Sequence, residues 1–175
     1  MTFFKSESTL TNYMKKLLFF LSLIIVVGCS QAQNNSKIQN IAPYRILTAP
    51  DSAYRTPANL PKNKPVMVVY FSPDCSHCQQ LMYEMKGEMK SFANIQVVMI
   101  TPVDYKMVKY FYRDFGISAY PNFTVGTEGR TYEVLTYYGV KNTPYIAIYD
   151  HKHKLLKAYE KAPKIKELVA VVKKA

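Results

Sequence analysis

The sequence predicts an α/β fold, and three stretches carry that prediction. Residues 66–71 are six consecutive apolar residues, most of them β-branched or aromatic, which suits a strand buried on both faces. Past Ser72-Pro73-Asp74 the apolar positions switch to helical spacing at Cys78, Leu81, Met82, Met85, Met89 and Phe92. That spacing leaves Gln79, Gln80, Glu84, Lys86, Glu88 and Lys90 for solvent. Residues 95–100 then form a second buried strand, so strand, helix and strand make a βαβ unit. Near the end, residues 145–150 and 154–159 pair as a hairpin around His151-Lys152-His153.

The chain has 175 residues, room for one domain and a leader. Its 49% hydrophobic and 20% charged residues are those of a globular protein and exclude a disordered one. The net charge is +11, and 20 Lys and Arg against 11 Asp and Glu follow Cys29, so the basic balance is not a property of the leader. An export leader argues against nucleic acid as the partner. A solvated surface, acidic partners or an anionic membrane then account for the charge.

The leader is read at residues 1–29. Met14-Lys15-Lys16 is a charged n-region, and residues 17–27 are an apolar h-region too short to span a bilayer comfortably. Residues 1–13 are polar, include Glu7 and fit no signal n-region, which points to Met14 as the true start. Val26-Val27-Gly28-Cys29 resembles the lipobox of bacterial lipoproteins, whose cysteine becomes the lipidated N-terminus. That resemblance implies a cell-envelope protein held to a membrane through Cys29. Cleavage after Ser30-Gln31-Ala32 is the competing reading. Residues 30–43, rich in Asn, Gln and Ser over 31–39, read as a flexible tether to a domain at 44–175.

Within the domain, residues 44–48 are expected to form a short edge strand, and Pro50, Pro57, Pro61 and Pro65 break up the approach to the central strand. After residues 95–100, Thr101-Pro102-Val103-Asp104 has the form of a helix start with Thr101 as N-cap. That helix is expected to turn Met107, Phe111 and Phe115 inward and to stop at Gly116. Phe115-Gly116-Ile117…Pro121 is echoed by Tyr138-Gly139-Val140…Pro144; the first is expected to enter a short strand at 122–125 within an inserted α/β segment, followed by a short helix at 132–138. Pro163 opens a last helix with Ile165, Leu168, Val169 and Val172 on its buried face.

The chemistry lies in Cys75-Ser76-His77-Cys78. Cys75 sits at the N-terminal tip of the first helix, where unpaired N–H groups favour negative charge and lower a thiol below its free value of roughly 8.5. Cys75 is therefore the expected thiolate, with His77 able to add positive charge or a hydrogen bond. Cys78 begins the buried stripe and suits a resolving thiol that attacks a mixed disulfide on Cys75. A zinc half-site would need two further ligands, and no second C-x-x-C or C-x-x-H is present; His151 and His153 are two apart beside a turn.

Strand, turn, C-x-x-C and amphipathic helix resemble the thioredoxin superfamily. Tyr138-Gly139-Val140-Lys141-Asn142-Thr143-Pro144 resembles its Y-G-V-x-x-x-P segment, whose proline is cis and faces the active site. The inserted segment resembles that of the TlpA/ResA-type membrane-tethered members. The resemblance covers roughly 64–175 and implies a central mixed sheet flanked by helices, with an α/β insertion before the cis-proline. It also implies that Thr143 and Pro144 offer substrate a backbone edge, and that no cofactor or metal is required. The implied partners are envelope protein thiols and disulfides and an upstream redox partner, not nucleic acid. Two departures stand out: Val69 occupies the place of thioredoxin's buried acid, and Asp74 that of its tryptophan. The insertion and tether lean the reading toward a reductase. The alternatives are a redox-inactive binding or scaffold lipoprotein and a thiol peroxidase. The last is suggested by Ser72 three residues before Cys75, but Val68 stands where such sites place a proline.

Overall fold

The apolar run at 66–71 becomes an inner strand of a seven-stranded sheet. A computed structural model describes residues 38–175. In chain order the elements are β1 (Ile46–Ala49), β2 (Ala53–Arg55), β3 (Val66–Tyr70), α1 (Ser76–Gly87), β4 (Gln96–Thr101), α2 (Tyr105–Asp114), β5 (Phe123–Thr127), α3 (Glu133–Tyr138), β6 (Tyr145–Tyr149), β7 (Leu155–Tyr159) and α4 (Ile165–Val172). The order across the sheet is β2-β1-β5-β4-β3-β6-β7. β3, β4 and β5 are parallel, while β1, β6 and β7 add antiparallel pairs, so the sheet is mixed.

Alternation along the strands divides the apolar side chains between two layers. Met67, Val69, Val97 and Met99 meet α1, α2 and α4 on one face; Val66, Val68, Tyr70, Val98 and Ile100 meet α3 and the segment before β1 on the other. Every residue of β3 is buried. This is the continuous pattern of a strand covered on both sides, and each such side chain contributes about 1.5–3 kcal/mol of apolar burial. β1 lies so close to β5 that a Cβ on Gly126 would stand 2.9 Å from the Leu47 carbonyl oxygen, so only glycine fits there.

Several sequence expectations are corrected. β1 is not an edge strand: β2, three residues long and unforeseen, pairs with its outer side. α1 ends at Gly87, and Met89–Phe92 continues as a 3-10 turn that still buries Phe92. Thr101 does not cap α2; it is the last residue of β4, and the Asp104 carboxylate caps the helix by accepting from the Lys106 N–H at 2.8 Å. Met107 is 40% exposed, and the inward stripe of α2 runs through Val108 and Phe111 instead. The strand expected at 122–125 is β5, a full inner strand between β4 and β1.

The folded domain also begins before residue 44. Ala42 is fully buried and its N–H donates to the Tyr138 hydroxyl at 3.1 Å; the Leu155 N–H donates to the Gln39 carbonyl at 3.2 Å. Residues 38–43 are thus packed chain. The leader, Cys29 and the remainder of the tether lie outside the described residues. Among the described residues no helix is long and apolar enough to cross a membrane.

Candidate active site

The parallel strands point their C-terminal ends at one pole of the sheet, and β3 delivers the chain there through Ser72-Pro73-Asp74. Cys75 is the N-cap of α1, in extended conformation, and its carbonyl accepts the first helical bonds from the Cys78 and Gln79 N–H groups, both at 3.0 Å. Its side chain is half-buried and caps nothing itself, so the sulfur stays beside the free end of the helix. Cys78 is 1% exposed and packs with Phe71, Leu81 and Met82 in the core. Both cysteines are free thiols.

The loop that follows α3 closes the site. Gly139 ends α3 in the left-handed region at φ 61°, and the chain returns to a cis Thr143–Pro144 bond directly before β6. The Cys75 thiol donates to the Thr143 carbonyl at 3.5 Å. A second cis bond, Ala49–Pro50, lies after β1 and was not foreseen. Cys75, Cys78, Thr143 and Pro144 therefore meet from stretches almost seventy residues apart. His77 is exposed beside them and lines an open groove of about 890 Å³ that continues along Asn142, Pro144, Tyr159 and Glu160.

The two sulfurs are electrostatically unequal. Burial raises the Cys75 thiol, but hydrogen bonds from the Cys78 and Thr143 side chains and from the Cys78 and His77 N–H groups outweigh it, and the net displacement is downward. Burial pushes the Cys78 thiol up to about 12, with Cys75 adding to the rise. The hydrogen bond that His77 gives the Cys75 sulfur comes from its backbone N–H. The Asp74 carboxylate accepts a hydrogen bond from the Ser72 hydroxyl.

An alkylation profile should read this inequality directly. At neutral pH one equivalent of iodoacetamide is expected to modify Cys75, with a rate midpoint below the free-cysteine value, and to leave Cys78 intact. The same shifts affect stability. Cys78 stays protonated in the fold up to about 12, whereas the unfolded chain ionises it near about 8.5. The reduced protein should therefore lose stability as pH rises above the latter value, since the folded state then holds the extra proton.

Sequence reasoning missed Glu128. Its side chain is 5% exposed on the α3 face, where one oxygen accepts from the Tyr70 hydroxyl at 2.7 Å and the other from the Val134 N–H at 2.8 Å. An acid directly before a turn that opens on glycine gives no signal of burial. Reading the β5–α3 junction against the end of β3 would have been needed. Among the described residues, no group of three His, Cys, Asp or Glu side chains is placed to hold a metal.

The profile of the family described as Thioredoxin matches residues 47–144, more than half of the chain. The chain belongs to the thioredoxin family. No curated protein matches it by sequence. Among solved structures, this thioredoxin-family chain is similar to a secreted disulfide oxidoreductase of Mycobacterium tuberculosis homologous to E. coli DsbE, at 17% identity and a TM-score of 0.62, covering 81% of this chain and 99% of that one. It is also similar to the exposed lipoprotein thioredoxin Etrx1 of Streptococcus pneumoniae, at 18% identity and a TM-score of 0.57, covering 77% and 100%. A peroxiredoxin-like protein from Aquifex aeolicus gives 18% and 0.62, covering 78% and 86%. At these identities the likeness is one of fold. Within that fold, a half-buried thiol of lowered pKa above a buried one of raised pKa is the equipment of a thiol–disulfide oxidoreductase.

Proposed function

We propose that this thioredoxin-family protein is an exported, lipid-anchored thiol–disulfide oxidoreductase that reduces disulfides of cell-envelope proteins. The observation that carries the reading is the meeting of the Cys75 sulfur with Thr143 beside Pro144, over a buried Cys78. The Cys75 thiolate attacks one sulfur of a substrate disulfide; that S–S bond breaks, a mixed disulfide forms, and the departing substrate thiolate takes a proton. Cys78 then loses its proton and attacks the Cys75 sulfur, which releases the second substrate thiol and closes a Cys75–Cys78 disulfide. Two electrons pass to the substrate, and an upstream dithiol restores them. The backbone at Thr143 offers an extended substrate a pairing edge, and the groove beyond His77 receives its side chains. Lipidation of Cys29 supplies the anchor. The secreted and lipoprotein neighbours support an envelope location.

The peroxidase reading is weaker, because the Ser72 hydroxyl that would assist a peroxide donates to Asp74 instead. The test is reduction of insulin disulfides by the reduced protein, together with its equilibrium potential against glutathione. Turnover with a potential below that of the glutathione pool is expected. A potential near those of strong oxidants would reverse the direction, and no exchange at all would leave a redox-inactive binding module.

A further inference from the structure

The charge of the domain is gathered at the pole opposite the dithiol. That pole is where β3, β4 and β5 begin and where α1 and α4 end. The loop into β3 brings Lys62 and Lys64 there, and the end of α1 with the turn after it brings Lys86 and Lys90. The β6–β7 turn adds Lys152 and Lys154, and the end of α4, which packs against the Met89–Phe92 turn, adds Lys173 and Lys174. All but Lys64 are exposed. Two carboxylates share this pole: Glu88, and Asp150, whose oxygen is engaged by the N–H groups of Lys152 and Lys154 at 2.8 and 2.9 Å. Arg113 and Asp114 also end α2 at this pole, but they pair with each other at 2.7 Å and cancel. Eight lysines against two carboxylates thus stand at one pole, while the rest of the described domain carries ten cations against eight carboxylates.

The chain enters the domain at this same pole. The Ile38 and Asn40 carbonyls accept from the Tyr149 hydroxyl at 3.3 and 3.1 Å, and the Lys154 ammonium donates to the Asn40 side chain at 2.9 Å.

We infer that the lysine pole is a docking surface for an anionic bilayer, which turns Cys75 and the groove away from the membrane. Exposed lysines on several elements, with almost no opposing carboxylate, match a surface of phosphate headgroups and attract it with a strength that salt screens. An acyl chain and a basic patch are each marginal anchors, and together they hold stably. The inference takes from the proposed function only that the protein works beside a membrane. An unmodified Cys29 would leave it standing.

The experiment uses residues 38–175, which hold every described strand and both cores and carry no acyl chain. This domain is sedimented with vesicles of phosphatidylcholine alone or mixed in equal parts with phosphatidylglycerol. Binding is expected to the mixed vesicles only, and to be lost at high salt. Joint substitution Lys86→Glu, Lys90→Glu, Lys152→Glu and Lys173→Glu should weaken it by about a hundredfold or more, whereas Lys106→Glu, Lys109→Glu, Lys141→Glu and Lys166→Glu together should weaken it far less. Insulin reduction by the first variant should persist, as a check that it folds. A polarity-sensitive fluorophore on Cys75 should stay in water on the vesicles, and one placed at Lys152→Cys in a Cys75→Ser, Cys78→Ser background should shift. Equal loss in the two quadruple variants, a shift at Cys75, or binding of the wild-type domain to an acidic protein but not to mixed vesicles would each overturn the inference.

Discussion

Cys78→Ser is expected to stop turnover and leave the protein bound to its substrates through Cys75. The attack of Cys78 on the mixed disulfide is intramolecular, from a residue one helical turn away, and such proximity is worth many powers of ten over a thiol from solution. Turnover should therefore fall by at least about a thousandfold, while the first alkylation of Cys75 stays fast, because most of the hydrogen bonds that lower its pKa are kept. On a non-reducing gel of envelope extracts, Cys78→Ser should show partners that vanish on adding dithiothreitol, and Cys75→Ser should show none. Capture by Cys75→Ser in place of Cys78→Ser would reverse the assignment of nucleophile and resolver. Capture by neither, with both proteins folded, would favour the binding-module reading.

Glu128→Ala should be the most costly single substitution away from the thiols. Its carboxylate is the partner of the Tyr70 hydroxyl and the Val134 N–H, and all three groups are buried on the α3 face. Removal leaves two buried donors without acceptors, at about 1–3 kcal/mol each, and opens a small void besides. A loss of about 3–5 kcal/mol is a large share of the roughly 5–15 kcal/mol that holds a domain of this size. Tyr70→Phe deletes one donor and leaves the carboxylate its other bond, so it should cost less. Urea unfolding of both single variants and the double variant gives the coupling: the double variant should cost less than the sum. An additive result would mean that Tyr70 and Glu128 do not act as a pair.

Much of this was legible in the sequence because the signals are local. The unbroken apolar run of β3, the change of period after Pro73 and the spacing of Cys75 and Cys78 each stand on a few neighbouring residues. The hairpin around 151–153 and the buried face of α4 were readable for the same reason. What escaped depends on partners far along the chain. β2 is three residues with no pattern, and it exists because β1 offers it an edge. Thr101 looked like a helix cap until pairing with Thr127 drew it into β4. Residues 38–43 have the composition of a linker, yet they are held by tyrosine hydroxyls that arrive from α3 and β6. The site shows the same division: the C-x-x-C and the Y-G-V…P pattern named Cys75, His77, Cys78, Thr143 and Pro144, whereas the inner surface of the groove and the buried Glu128 came only from the way the sheet closes.

The segment ahead of β1 also decides how this protein would bear mechanical load. A pull on the backbone at Ile38 meets first the Tyr149 hydroxyl on Ile38 and Asn40, the Leu155 N–H on Gln39, the Tyr137 hydroxyl on Asn40 and the Tyr138 hydroxyl on the Ala42 N–H. These bonds anchor the strap to α3, β6 and the start of β7, and none of them involves α1. Tension entering from that end is therefore shared among several bonds and passed into α3 and the sheet, and the helix that carries Cys75 stands off that direct path.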